Sequence, residues 1–398
     1  MIKPNIRFPE FTDSYEEEKL SHYLKEQKDR NKKNEYKKQD VFSVSRTSGI
    51  VNQIEYLGKS MAGQDLSNYH IVYPSNVVYT KSPLKETPYG IIKHNNKNSG
   101  IVSTLYAVYE CNDDALPAYI DYYFSFDDRV NRYLKPLVNI GAKHDMKINN
   151  EDALAGIVCF PSIAEQRKVV TFLNIYESKI QNQSLKVKTL EERRKGLLQQ
   201  IFSQKIRFKT DDGGEFPNWE ERPMGNFFTE RKEKSKGGEE LLSVTIANGV
   251  IRQSDSEKRD SSSENKSNYK LVMKGDIAYN TMRMWQGAEG VSYWDGIVSP
   301  AYTVIIPNDG INSEFFQILF KTHQALKKFT IYSQGLSSDN WNLKFETFAE
   351  LEFAIPCDEE QRKIVEFFKL IDKQIQVERN KLKAIKNIKK GLLQQMFV

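Results

Sequence analysis

Two stretches of about forty residues carry apolar side chains at steps alternating between four and three. In the first, Val169, Leu173, Tyr176 and Ile180 are followed by Val187, Leu190, Leu197 and Ile201. In the second, Ile364, Phe368, Ile371 and Ile375 are followed by Leu382, Ile385, Leu392 and Met396. A seven-residue period held for about five heptads is the seam of a coiled coil. At ~1.5 Å per residue each helix would run roughly 60 Å. The two stretches also match one another. Pro161-Ser-Ile-Ala-Glu165-Gln166-Arg167-Lys168 answers Pro356-Cys-Asp-Glu-Glu360-Gln361-Arg362-Lys363, an offset of 195 residues. Gly196-Leu-Leu-Gln-Gln200-Ile-Phe202 answers Gly391-Leu-Leu-Gln-Gln395-Met-Phe397 at the same offset, so no insertion separates the copies. That period lies far outside the roughly 20–50 residues of solenoid repeats. It describes two domain-sized units, each closed by its own helix.

Each seam is interrupted twice at matching places, by Gln183 and Glu378 and by Arg194 and Lys389. Polar seam residues commonly fix register at some cost in stability; the other reading, a solvated end or a face that has drifted off the seam, stays open. A second apolar stripe, Phe172, Ile175 and Leu198, is matched by Phe367, Leu370 and Leu393. A two-stranded coil needs one seam, so the wider face points to further helices docking there. The first helix ends at Phe202, just before the second unit, and the second begins just after it. That connectivity requires the helices to run antiparallel.

The units they follow mix short strands with helices. Val77–Tyr79, Ile101–Ser103, Ala278-Tyr279 and Val304–Ile306 have the β-branched and aromatic content of strands, while Tyr119–Phe126 and Phe315–Lys327 read as helical. Tyr69 to Tyr79 aligns with Tyr269 to Tyr279, Gly100-Ile-Val-Ser103 with Gly296-Ile-Val-Ser299, and Tyr15-Glu-Glu and Leu20 with Trp219-Glu-Glu and Met224. Ile157–Pro161 and Leu351–Pro356 are apolar strands that end in proline, which is tolerated in a helix's first turn. The expected fold class is α+β: two pseudo-repeat globular α/β units at 1–160 and 206–355, separated by two long antiparallel coiled-coil helices at 161–205 and 356–398. Lys25–Lys38 reads as a solvated face or loop and Gln253–Asn268 as a mobile loop.

Composition narrows the class. With 398 residues the chain has room for several cores. No apolar run approaches the ~20 residues of a membrane span, and the charged N-terminus does not read as a signal peptide. The three cysteines form no CxxC pair, and a reducing cytoplasm fits them best. No metal-ligand spacing stands out. The net charge of +5 is compatible with nucleic acid and does not establish it.

Between the shared strands the two units differ almost completely, in stretches rich in side chains that read base edges and hold phosphates. In the second unit these are Asn280, Arg283, Trp285 and Gln286, then Ser337, Ser338 and Asn340. In the first they are Lys81, Lys93, His94, Asn95, Asn96 and Lys97, then Lys143 and His144. As a group they are candidates for DNA contact; the plainer reading makes them loop residues, with Trp285 and Trp341 buried. No GxxxxGK[ST] loop, GxGxxG fingerprint, nucleophile elbow, Asn-Pro-Pro-aromatic signature or AdoMet loop is present. A duplicated scaffold with divergent loops and no catalytic signature favours recognition over chemistry. A structural adaptor bridging two protein partners is the alternative.

The doubled Pro-x-x-x-Glu-Gln-Arg-Lys opening and Gly-Leu-Leu-Gln-Gln-(Ile/Met)-Phe close resemble the two conserved helical regions of the specificity subunit of type I restriction-modification systems. Gly275-Asp-Ile-Ala-Tyr279-Asn-Thr-Met-Arg283-Met-Trp285 through Ser299-Pro-Ala-Tyr302 is similar to a common type of target-recognition domain. The resemblance covers essentially the whole chain, and the first unit fits the recognition-domain pattern less well than the second. It implies that 1–160 and 206–355 are target-recognition domains, each reading one half of a bipartite asymmetric site on double-stranded DNA. The helices would set the gap and dock two modification (methyltransferase) subunits, with restriction (translocase and nuclease) subunits joining that core. It also implies no catalysis and no cofactor on this chain: AdoMet, ATP and Mg2+ would be bound by the partner subunits.

Overall fold

The computed structural model describes residues 2–81, 87–140, 146–256, 260, 262–336 and 340–398. They form two compact units, Met1–Leu185 with Arg379–Val398, and Lys186–Glu378. Each contains about half of both long helices, Ile163–Phe202 and Asp358–Gln395.

The units are built alike. The first has a four-stranded antiparallel sheet in the order Leu24–Glu26, Tyr106–Cys111, Val77–Thr80, Ile91–His94. The second repeats it as Phe228–Glu230, Tyr302–Pro307, Ile277–Asn280, Glu289–Val291. Successive side chains of a strand face opposite sides, so each inner strand supplies two cores. Val77 and Tyr79 face the helices, with Tyr119 and Phe160, whereas Val78 packs with Phe42, Ile50 and Val102. Ile277 and Tyr279 face the phenylalanine-rich helical core of the second unit, and Ala278 packs with Leu242, Val250 and Val298. The expected helix at Tyr119–Phe126 ends at Tyr123 with a second helix after it, and the one expected at Phe315–Lys327 is divided between two helices. Pro117–Tyr123 is followed by Asp127–Leu134, and Ser313–Phe320 by His323–Tyr332. Thr322 makes the second break by capping the new helix, its Oγ1 accepting from the Ala325 N–H at 3.1 Å.

A two-stranded ribbon leads into each long helix: Glu16–Lys19 with Ile157–Phe160, and Glu220–Pro223 with Glu352–Ile355. The repeated Glu-Gln then acquires a structural meaning. The buried Glu165 carboxylate accepts from Arg7 Nε at 2.9 Å, Arg7 Nη2 at 2.7 Å and the Tyr15 hydroxyl at 3.0 Å. Glu360, also buried, accepts from Arg207 Nε at 3.2 Å, Arg207 Nη2 at 2.7 Å and Trp219 Nε1 at 2.9 Å. Gln166 and Gln361 turn inward and donate to the Pro161 and Pro356 carbonyls. Ile6-Arg7-Phe8 and Ile206-Arg207-Phe208 are therefore a further repeated motif. Its phenylalanines lie edge-on to Phe172 and Phe367. The chain itself thus covers part of the second apolar stripe, while Ile175 and Leu370 stay exposed.

Within each unit the helices run antiparallel. Val169 and Leu173 share a core with Leu393, Met396 and Phe397, and Leu198, Ile201 and Phe202 share one with Ile364, Val365 and Phe368. Of the expected seam, Val169, Leu173, Val187, Ile364, Phe368 and Ile375 are buried; Ile180, Leu190, Leu197, Ile371, Leu382, Ile385 and Leu392 are partly so. The last turn of each helix departs from expectation. Leu198 and Leu393 are buried in the core while Leu197 and Leu392 are only partly so, because a 3.6-residue turn drifts against a 3.5-residue repeat. The charged seam residues are ion-paired across the helices. Arg194 holds Asp372 (Nη2 to Oδ2, 2.9 Å), Lys389 holds Glu177, and Glu378 meets Lys186 at 3.1 Å. Asp372 and Glu177 are themselves repeat equivalents, so the charges carry register information, as polar seam groups can. Among the described residues no helix is long and apolar enough to cross a membrane.

Candidate nucleic-acid interface

In the second unit the candidate surface starts from the inner strand Ile277–Asn280. Asn280 closes the turn after it by accepting from the Met282 N–H at 3.0 Å. Met284 is fully buried beneath this turn. Trp285 packs edge-on to Trp341 at 5.2 Å and donates Nε1 to the Met282 carbonyl, so it props the turn and is not a free stacking platform. Arg283 and Gln286 are thereby left exposed. Facing the turn is the hairpin Leu242–Thr245 with Gly249–Arg252. Its tip is a hydroxyl turn, Thr245 Oγ1 accepting from the Asn248 N–H at 3.0 Å, and Gly249 has φ +63°. Between hairpin and turn lies an open groove of about 690 Å³, whose lining includes Thr245, Asn248, Asn280, Arg283, Ser299 and Tyr302. Arg283 has no ion-pair partner among the described residues. A guanidinium, amides and hydroxyls around an open groove supply the donors and acceptors that phosphates and base edges require. Asn340 is exposed; Ser337 and Ser338 lie outside the described residues. A separate cleft of about 510 Å³ has an apolar floor of Phe202, Trp219 and Phe353 and does not include the turn that carries Arg283.

The first unit corrects the sequence expectation. Lys93 is buried, donating to Asp121 Oδ1 at 2.7 Å and Ser125 Oγ at 2.9 Å. His94 Nδ1 lies 2.9 Å from the other Asp121 oxygen. Lys93 and His94 hold the Asp121 carboxyl well below the usual carboxylate range despite its burial. Asn95 is buried and bonds the Tyr73 and Asn98 carbonyls, so Lys93 and Asn95 are internal ties and not contacts for DNA. Asn96 and Lys97 are exposed. Strand register places the 94–97 turn beside Val77, the start of the inner strand, whereas Arg283 follows that strand's end. Lys81 is at the corresponding end, half-buried beside Glu26, Glu151 and Asp152; burial lowers its amine. Those acids disfavour a phosphate. Lys143 and His144 lie outside the described residues.

The surface that corresponds to the second unit's groove is the hairpin Phe42–Ser45 with Gly49–Asn52. Ser45 Oγ accepts from the Ser48 N–H at 3.2 Å, and Gly49 has φ +68°. Ser103 and Tyr106 occupy the places of Ser299 and Tyr302. A signal for this hairpin is present in the sequence: Ser43-Val44, Gly49 and Gln53 against Ser243-Val244, Gly249 and Gln253. Gly100 and Gly296 support the same packing. A Cβ on Gly100 would sit 2.4 Å from the Phe42 ring, and one on Gly296 2.5 Å from the Glu240 carbonyl. Among the described residues no group of His, Cys, Asp or Glu is arranged to hold a metal ion.

Comparison with known proteins bears on this duplicated hairpin. The family model of the type I restriction modification DNA specificity domain matches residues 218–387, which span Trp219, the groove and Glu360. Residues 218–387 are thus similar to that specificity domain. The likeness in fold extends to the rest of the chain. The S subunit of a type I restriction-modification system from M. genitalium has a TM-score of 0.56 and 13% identity, over 100% of this chain and 99% of that one. A chain from a type I R-M system, solved to explain complex assembly and conformational transition, has a TM-score of 0.56 and 14% identity over 96% and 97%. At these identities the likeness concerns fold: the chain has the fold of an S subunit, with the specificity domain's architecture present twice.

Proposed function

We propose that this chain is the DNA-specificity subunit of a type I restriction-modification complex, with each unit reading one half of a bipartite asymmetric site. The observation that carries the reading is the repeated hairpin, whose frame is shared and whose exposed side chains are not. Phosphate contacts would orient each unit, and a few bidentate pairs would select bases at ~1–3 kcal/mol each. The long helices set the gap between half-sites. Their exposed apolar positions, Ile175 and Leu370, receive modification subunits, which bring AdoMet and methylate adenine; restriction subunits supply ATP- and Mg2+-dependent steps. The chain itself turns over no substrate and works in the cytoplasm.

Arg283→Ala tests the groove. Selection of duplexes from a random pool by the complex with its methyltransferase partner is expected to lose ~1–3 kcal/mol of discrimination in one half-site only. Equal weakening on every sequence would make Arg283 a phosphate contact and remove it from the reading set. Inserting a few residues into one long helix is expected to shift the gap between half-sites; an unchanged gap would end the ruler role.

A further inference from the structure

The tips of the two hairpins share a backbone and differ in chemistry, Arg46-Thr47-Ser48 against Ile246-Ala247-Asn248. Each tip is nonetheless fastened to the same place, the junction between the two short helices behind the sheet. In the first unit the fastening comes from the tip's side chain. Arg46 grips Asp127, the first residue of the helix Asp127–Leu134, through a two-point contact with Nε to Oδ1 at 2.9 Å. In the second it comes from the junction. Lys321, just after Ser313–Phe320, donates to the Ile246 carbonyl at 3.4 Å, the Glu289 carbonyl at 3.3 Å and the Gly287 carbonyl. It thereby joins the hairpin tip to the end of the turn that carries Arg283.

Stability is a poor reason for the Arg46–Asp127 pair. Both side chains are substantially exposed, and exposed ion pairs contribute little to folding. What the two devices have in common is a location. Two unrelated sets of charges arriving at one location in a duplicated frame indicate that the location itself matters. Reading groups must be held to well under 1 Å to discriminate base edges, and a three-residue tip on a short hairpin has little packing of its own to hold it.

We infer that these tethers are positioning devices, Arg46 with Asp127 in the first unit and Lys321 in the second, that set each hairpin tip for base reading. The inference rests on the proposed DNA-reading function. The alternative is that Arg46 reaches DNA directly and Asp127 merely parks it.

The experiment uses the full chain complexed with its methyltransferase partner and a pool of double-stranded DNA randomised across the site. Wild type, Arg46→Ala, Asp127→Ala, Asp127→Asn and the double variant Arg46→Ala/Asp127→Ala are compared by the base preferences of the duplexes they retain. With a tether, each Asp127 variant flattens preference at one half-site by roughly tenfold, the scale of a lost base contact. Arg46→Ala does the same, and the double variant is no worse. Lys321→Met, made with Glu289→Gln so that no buried carboxylate is stranded, flattens only the other half-site. If Asp127→Ala and Asp127→Asn keep or sharpen the preference while Arg46→Ala loses it, Arg46 contacts DNA and the tether is wrong. A wild-type complex that enriches no sequence contradicts the DNA-reading function itself, and this is seen before any variant is compared.

Discussion

Arg207→Ala is expected to destabilise the second unit by about 3–5 kcal/mol, the range for stranding one member of a buried ion pair. Glu360 is fully buried, whereas Arg207 keeps contact with solvent. Deleting the guanidinium therefore leaves a desolvated carboxylate with only the Trp219 indole N–H donating to it. Lysine should rescue poorly, since an ammonium cannot make the two-point contact. Urea denaturation checks this. Because the chain has two units, the transition of the second should move to lower urea while that of the first stays in place. Arg7→Ala should do the reverse through Glu165. A shift below about 1 kcal/mol would reduce these pairs to the worth of surface contacts.

The second large effect is a pH dependence centred on Glu289. Its side chain is fully buried. Lys321 Nζ lies 3.0 Å from one carboxylate oxygen, yet neither oxygen receives a well-directed hydrogen bond. Burial pushes the carboxyl up to about 7 from its usual 4.5, with Lys321 opposing the rise. A folded-state value above the unfolded one means that the folded protein binds the proton more tightly. The corresponding stability is complete below pH 4.5 and is lost as pH rises through 7. Glu289→Gln cannot ionise. It should therefore gain on wild type with rising pH, by on the order of 3 kcal/mol between pH 4 and pH 8. Denaturation at the two pH values checks the sign, and a variant no better at pH 8 than at pH 4 would contradict it. The residue begins the strand that leaves the turn carrying Arg283, so above pH 7 part of the second unit's stability is given up in holding a charge there.

The scaffold was readable from sequence because its signals are periodic. The heptad spacing of Val169, Leu173, Ile364 and Phe368, and the offset shared by Glu165 and Glu360, follow from helix geometry, which sequence reports directly. The polar seam residues were visible but not their partners. Arg194 and Lys389 needed the antiparallel register before Asp372 and Glu177 could be named. The site was only half legible. Arg283 stood out because it follows an apolar strand and precedes a tryptophan that anchors the turn. Lys93 and Asn95 had equally suitable chemistry, but charge and hydrogen-bonding capacity do not reveal orientation. The pairing of Ile91–His94 with Val77–Thr80 helps place the Lys93 ammonium against Asp121, and sequence alone does not carry that register. The hairpins were overlooked because their tips, where the function is proposed, are where the two copies agree least.

The most direct test of two-part reading is to map methylated adenines in cells that express this chain with its modification partner. The expected result is an asymmetric motif in two parts, separated by a gap of fixed length and unspecified sequence, with one methylated adenine in each part. A single continuous motif, a palindrome, or methylation without sequence preference would contradict the proposal that two units of one frame read two different half-sites.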